Sequence, residues 1–240
     1  MNSKIERTHT FPKFLVSLAL MIVSCLYAIF HYNAKYETFY NYDSSLHFSG
    51  FLNETYFYSE WMLIVVFIGA LMGLLSIQKQ QLDGSILFIL SKPISRARIL
   101  LARVFVSFYF LFLVYLITGA FILGISKYLA YSYPIEELAL QLARLFSISV
   151  LFWSISIFFV CNFKRALLSF LASACLALIL FFLNFYFPGE TLLTYLPFHH
   201  LTNIKTVVTG TYPFFIMLLW FIASIIFIYF SVLAFYRKEY

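Results

Sequence analysis

Long runs of apolar residues limit the folds that this sequence can adopt. Six runs lie near residues 14–32, 60–77, 100–125, 143–161, 166–187 and 213–236. Each can cross the roughly 30 Å hydrocarbon core of a bilayer, for which an α-helix needs about 20 residues. Backbone groups in that core must bond to one another, and runs of this length favour helices over strands. The sequence therefore predicts one all-α integral membrane domain over residues 1–240, with six transmembrane helices.

The composition agrees with this prediction. Hydrophobic residues make up 63% of the chain and charged residues 11%, whereas a soluble domain is roughly half apolar and about a quarter charged. The first run follows basic residues, as in a signal peptide. It is longer than a typical signal core, and no small-residue cleavage site follows it, so we interpret it as a retained span.

The distribution of charge predicts the orientation. Twelve of the 16 Lys and Arg residues lie in the two termini and in the connections after the second and fourth spans. Basic residues in short loops mark the cytoplasmic side. Both termini are therefore expected in the cytoplasm of a multi-pass plasma-membrane protein. Basic residues close to span ends give no indication of nucleic-acid binding.

The connection between the second and third spans, residues 78–103, is unusual for a cytoplasmic loop because about half of it is apolar. Its apolar residues recur at helical spacing, with polar residues mostly on the opposite side. The apolar set is Leu82, Ile86, Ile89 and Leu90. This pattern predicts a short amphipathic helix along the cytoplasmic face of the membrane.

A proline separates that amphipathic helix from the third span. Pro93 is expected to end the helix, because the residue before a proline disfavours the αR conformation. Ser95 then caps the third span, whose first turn carries Arg96 and Arg98 at the headgroup level. The chain thus presents a rigid polar element, continuous with a span, on which a soluble partner could push.

The residues of this connection resemble a known family. They read Asp83-Gly84-Ser85-Ile86, then Leu90-Ser91-Lys92-Pro93-Ile94-Ser95-Arg96, then Ile99-Leu100 and Arg103. This string is similar to the cytoplasmic loop of ABC-2 type permeases, the membrane subunits of ATP-binding-cassette exporters. The family pattern is an acidic residue, then Gly-Thr-Leu, then Pro-x-Ser-Arg before the third span. Gln80 stands where the family often has an acid, and Ser85 replaces the threonine.

The resemblance implies roles for these residues. The segment near 80–92 would be a coupling helix seated in a separate nucleotide-binding ATPase subunit. The contact would be made by Gln80, Asp83, Gly84, Ser85 and Ile86. Pro93, Arg96 and Arg98 would set its angle to the third span. Two permeases, identical or homologous, would form the pathway as a dimer, and ATP with Mg²⁺ would bind only to the ATPase subunits.

The sequence also bears on chemistry and cargo. It contains no G-x-x-x-x-G-K-[ST], H-E-x-x-H or G-x-S-x-G motif, so we expect neither bound nucleotide nor enzymatic activity in this chain. Spans rich in Phe, Tyr, Leu, Ile and Ser suit an amphipathic or apolar cargo such as a lipid, a drug or a peptide. Two other interpretations stay open. One is a membrane assembly or scaffold subunit, and the other is a secondary transporter, which would want midplane acids or broken spans.

Four further features of the sequence predict helix contacts, re-entrant segments, an ion pair and the absence of a metal site. Gly69 and Gly73 form a G-x-x-x-G in the second span, whose spacing lets another helix approach closely, either within the chain or in a dimer. Residues 188–212 are interrupted by prolines, which predicts re-entrant outer helices between the fifth and sixth spans.

Arg144 could pair with Glu136 or Glu137 near the outer interface. His199 and His200 lack a third ligand at helical spacing, so no metal site is expected.

Overall fold

The computed structural model describes residues 15–23, 64–74, 96–128, 135–163, 166–186 and 214–237. Within these ranges every residue except Phe163 is helical. The helices are α1 (15–23), α2 (Ile64–Leu74), α3 (Arg96–Tyr128), α4 (Ile135–Asn162), α5 (Ala166–Tyr186) and α6 (Phe214–Arg237). One helix falls in each of the six predicted apolar runs, so the all-helical prediction is confirmed for the described residues.

Three helices are long and apolar enough to cross a membrane. Their apolar stretches are Ala97–Gly124, Leu142–Asn162 and Phe215–Arg237, with mean hydropathies of 2.3, 2.0 and 2.6. Shorter apolar stretches occupy Ile64–Leu74 and Leu168–Leu180. The structure thus supports a membrane protein, while six spans and cytoplasmic termini remain predictions. The coupling helix and the re-entrant outer helices fall on residues outside the described ranges.

Contacts between helices give their relative directions. Val65 and Ala70 of α2 meet Ser149 and Ser156 of α4, so these two helices run in the same direction. Rings of α4 and α6 also pair in ascending order, at Phe146–Phe221 and at Phe158–Phe227. In contrast, Ser107 of α3 meets Trp153 of α4, and Gly119 of α3 meets Leu142, which makes α3 antiparallel to α4. Successive crossings of a membrane require this alternation.

Helix α4 lies at the centre of the bundle. In its apolar stretch 78% of the residues are buried, against 33% for α3 and 28% for α6. It packs against α3, α5 and α6, and most extensively against α6. The large exposed side chains of α3, α5 and α6, such as Phe105, Ile179 and Ile225, point away from it. The outward faces of these three helices are apolar enough to suit contact with the hydrocarbon of a bilayer.

Helix α3 shows how inner and outer faces differ in such a bundle. Buried residues recur every three or four positions at Leu100, Val104, Ser107, Leu111, Val114, Thr118 and Ile122, and Tyr115 and Gly119 are buried beside them. Its outward face is equally apolar, so the small polar residues Ser107 and Thr118 mark the inner face better than hydrophobicity does. Arg98 and Lys127 are exposed at the two ends. By the helical rise they are about 43 Å apart, which matches a bilayer with its headgroups.

Candidate functional site

The predicted coupling residues fall mostly outside the described ranges. Gln80, Asp83, Gly84, Ser85, Ile86 and Pro93 all lie there. Arg96 is the first described residue of α3, and Arg98 is exposed in the same turn. The exposure of Arg98 suits a side chain at the headgroup level, where a cation meets water and lipid phosphate.

Gly69 and Gly73 lie against the backbone of α4. A Cβ atom added to Gly73 would be 2.5 Å from the carbonyl oxygen of Trp153 and 2.8 Å from the Cβ of Ser156. A Cβ added to Gly69 would overlap the carbonyl oxygen of Ser149. Any larger residue would therefore push the two helices apart. The face that carries the G-x-x-x-G is covered by α4, so packing within the chain accounts for the motif.

The close approach brings hydroxyl groups of α4 within reach of α2. Ser149 Oγ donates to the carbonyl oxygen of Val65 at 2.9 Å, and Ser156 Oγ donates to that of Ala70 at 2.8 Å. A carbonyl that already accepts a helical N–H has a second lone pair for such a bond. The two serines are seven residues apart and so share one face of α4. Glycines on one helix and serines on the other form this contact together.

Helix α3 is bonded to the same face of α4. The hydroxyl of Tyr115 bonds to Ser149 Oγ and also reaches the carbonyl oxygen of Leu145, at 3.3 Å. With the one hydroxyl hydrogen of Ser149 donated to Val65, the Tyr115 hydroxyl donates to Ser149 Oγ and shares that single hydrogen with the more distant carbonyl oxygen of Leu145. The bonds thus run from α3 through α4 to α2. Tyr115, Ser149 and Val65, which these bonds connect, are all buried.

A second bond joins α3 and α4 further along. Trp153 Nε1 donates to Ser107 Oγ at 3.0 Å, and Ser107 Oγ donates to the carbonyl oxygen of Val104 at 3.0 Å. The ring of Phe108 packs on the Trp153 ring at 5.6 Å between centroids and on Phe146 at 5.8 Å. These rings surround the polar groups with apolar surface. Cross-helix bonds of this kind contribute about 0.6 to 2 kcal/mol each in a membrane.

We call this region the α2/α3–α4 interface; its polar residues are Ser107, Tyr115, Ser149, Trp153 and Ser156. None of these five residues is among the candidates that the sequence predicts, although all five lie within predicted spans. A signal was nevertheless present. Helix α4 carries four serines within an otherwise apolar stretch, at 147, 149, 154 and 156. Small polar residues in a span indicate a helix contact.

The α4–α6 interface is built differently. Its rings pair at 6.3 Å for Phe146–Phe221 and at 5.9 Å for Phe158–Phe227. By helical spacing, four serines share the faces that carry these rings, and each donates to a carbonyl oxygen of its own helix over 2.7–2.8 Å. These serines are Ser147 and Ser154 of α4 and Ser224 and Ser231 of α6. The hydroxyl hydrogens here are therefore bound within each helix and do not join the two helices.

Arg144 is the single buried charged residue among those whose burial the structure describes. It is 1% exposed and lies two residues inside the apolar stretch of α4. The sequence predicts that Arg144 pairs with Glu136 or Glu137 near the outer membrane interface. The side chains of these two glutamates are not among those that the structure describes. An ionisable group within a span is a functional candidate by default. Within the described ranges no group of three His, Cys, Asp or Glu residues could hold a metal ion.

Taken together, these side chains hold helices against one another and offer no nucleophile paired with a base. Comparison with known proteins adds no family to this picture. No family model matches the chain, and neither a curated protein nor a solved structure matches it. The resemblance of residues 80–103 to ABC-2 type permeases therefore stays a prediction from sequence.

Proposed function

We propose that this chain is the membrane-spanning permease subunit of an ATP-binding-cassette exporter. The observation that carries the proposal is the residue pattern from Asp83 to Arg103, which leads directly into α3 and which the sequence predicts to be amphipathic and cytoplasmic. ATP with Mg²⁺ would be hydrolysed by a separate ATPase subunit. A second permease, identical or homologous, would complete a dimer in the plasma membrane.

The packing of α2 and α3 supports this proposal. These two helices flank residues 75–95, on which the ATPase would act. Both are hydrogen-bonded to the central helix α4, through Ser149 and Trp153. A displacement of the cytoplasmic segment would therefore reach the middle of the bundle. Nucleotide binding would bias one of two helix packings, as in other rigid-body switches.

The character of the described helices supports an amphipathic or apolar cargo. Arg144 is the one buried charge among the residues with described burial, and the other buried polar groups are mainly serine hydroxyls. Such surroundings stabilise hydrocarbon and isolated hydroxyl or amide groups better than a small hydrated ion. A transport assay that showed selective movement of a small hydrophilic solute would contradict this part of the proposal.

The test is co-expression of the chain with an ATP-binding-cassette ATPase encoded next to it. We expect a detergent-stable complex that hydrolyses ATP. Gly84→Trp should dissociate it or uncouple hydrolysis from transport, because a bulky residue would lift the coupling helix from the ATPase. The matched control is Gly124→Trp, since Gly124 is exposed and nothing lies within 4 Å of a Cβ placed there.

Each result of this experiment decides between functions. A complex that survives Gly124→Trp and is lost with Gly84→Trp supports a permease and locates the ATPase contact. A complex that tolerates both substitutions places the contact elsewhere. A chain that purifies alone and binds no ATPase contradicts the proposal and favours a scaffold subunit or a secondary transporter.

A further inference from the structure

Helix α4 has two interfaces that respond differently to sliding. At the α2/α3–α4 interface, the bonds of Ser149, Ser156 and Trp153 cross from one helix to another. A slide of one turn, about 5.4 Å, would lengthen these bonds far beyond hydrogen-bonding distance. The released serine hydroxyls would have to turn back to carbonyl oxygens of their own helix, and the released N–H of Trp153 would lie in hydrocarbon, where water cannot replace the lost partner. Sliding at this interface is therefore opposed.

At the α4–α6 interface, each serine hydroxyl travels with the carbonyl to which it donates. Ser154 bonds to Leu151 of its own helix, and Ser224 bonds to Trp220 of its own. A slide of α6 along α4 would leave both of these bonds intact. The ring contacts that it disturbs can be replaced by contacts with neighbouring apolar groups or with lipid, because apolar surface gains little from leaving a bilayer.

The arrangement of residues along α6 gives such a slide room. Ser224 lies about one turn before Phe227 and Ser231 about one turn after it, and both serines are buried. On α4, Ser154 lies one turn before Phe158, whose ring pairs with Phe227. Small residues thus stand on both sides of the ring pair. Packed helices in other proteins shift by such sliding, called shear.

We infer that α2, α3 and α4 move as one unit and that α6 slides along α4. The α4–α6 interface is the place where this bundle changes shape, although it is more extensive than the contacts that α4 makes with α3 and α5. The inference concerns the helix bundle itself and does not depend on the proposed ATPase. The experiment can therefore use the chain alone, and its failure would leave the proposed function standing.

The experiment measures distances between spin labels in the full chain, in lipid nanodiscs, after Cys25, Cys161 and Cys175 are replaced by Ala. One label is fixed at Asn162, at the end of α4, and the other is placed at Leu101 of α3 or at Tyr236 of α6. All three positions are exposed and lie at the same end of the bundle. We expect a narrow distance distribution for 162–101. We expect a broader or bimodal one for 162–236, since a one-turn slide moves the α6 label by about 5 Å.

Further variants test whether the cross-helix hydrogen bonds cause the difference between the two distance distributions. Ser149→Ala combined with Tyr115→Phe should broaden the 162–101 distribution, because it removes one of the two hydrogen-bonded contacts between α3 and α4. Ser107→Ala tests the other contact, the bond from Trp153, and serves if the double variant does not fold. Ser147→Ala with Ser154→Ala should leave both distributions unchanged. Equal widths for the two label pairs, or a broader 162–101 distribution in the unmodified protein, would overturn the inference.

Discussion

Serine hydroxyls on the two sides of α4 have different hydrogen-bond partners. Towards α2, Ser149 and Ser156 donate to carbonyl oxygens of the neighbouring helix. Towards α6, Ser147 and Ser154 donate to carbonyl oxygens three residues back in their own helix. The residue type, the helix and the burial are the same. The difference therefore comes from what stands opposite each serine.

The opposite residues set the distance between backbones. Gly69 and Gly73 face Ser149 and Ser156, and the absence of side chains lets α2 come within hydroxyl reach. On the α6 side, the rings of Phe221 and Phe227 lie in the interface, and no glycine of α6 stands opposite the α4 serines. A hydroxyl that cannot reach a neighbour turns back to its own carbonyl. In this bundle, a serine hydroxyl thus reaches the backbone of a neighbouring helix where that helix supplies a glycine, whereas Ser107 is joined to α4 by the long side chain of Trp153.

The largest expected effect comes from breaking this pairing at Gly73. Gly73→Leu should destabilise the fold by about 3 kcal/mol, because the new side chain meets the α4 backbone and forces α2 away, with loss of two cross-helix bonds. Gly124→Leu should be nearly neutral, since Gly124 faces open space. Unfolding in a detergent titration measures both. Equal stability for the two variants would show that α2 does not depend on close approach to α4.

A smaller effect is expected from the chain of bonds through Ser149. Ser149→Ala should destabilise the fold by about 1 kcal/mol. Tyr115 would still reach the carbonyl oxygen of Leu145, which limits the loss. Tyr115→Phe should cost a similar amount, and the double variant should cost less than the sum, because both changes remove the same bond. A strictly additive cycle would mean that Tyr115 and Ser149 act independently.

These interfaces also show what could be predicted from the sequence. Apolar runs located the helices well, because only a long helix satisfies its backbone in hydrocarbon. The start of α3 at Arg96 agrees with the cap predicted at Ser95, whereas its end at Tyr128 lies three residues beyond the predicted span 100–125. The spacing of Gly69 and Gly73 indicated a close helix contact. It gave no indication of which helix would approach.

Other features were not predictable, for a physical reason. Helices that face lipid are apolar on every side, so the period of hydrophobicity does not show which face of α3 or α6 is buried. The bond between Trp153 and Ser107 joins residues 46 positions apart, and it depends on how two apolar cylinders turn against each other. The sequence predicts a pairing of Arg144 with Glu136 or Glu137 near the outer interface, and it gives no indication that the Arg144 side chain is buried inside the bundle. Only the tertiary packing determines these points.

The smallest effect separates two serines of the same helix. Ser156→Ala removes the bond to Ala70 of α2 and should destabilise the fold by about 0.6 kcal/mol or slightly more. Ser154→Ala removes a bond within α4 and should change stability by no more than about 0.3 kcal/mol, because the carbonyl of Leu151 keeps its helical N–H partner. The two serines are fully buried, lie two residues apart and lose the same atom. Parallel unfolding titrations of the two variants therefore isolate the cross-helix bond. A greater loss for Ser154→Ala would show that serine is needed at the α4–α6 interface for its hydroxyl rather than for its small size.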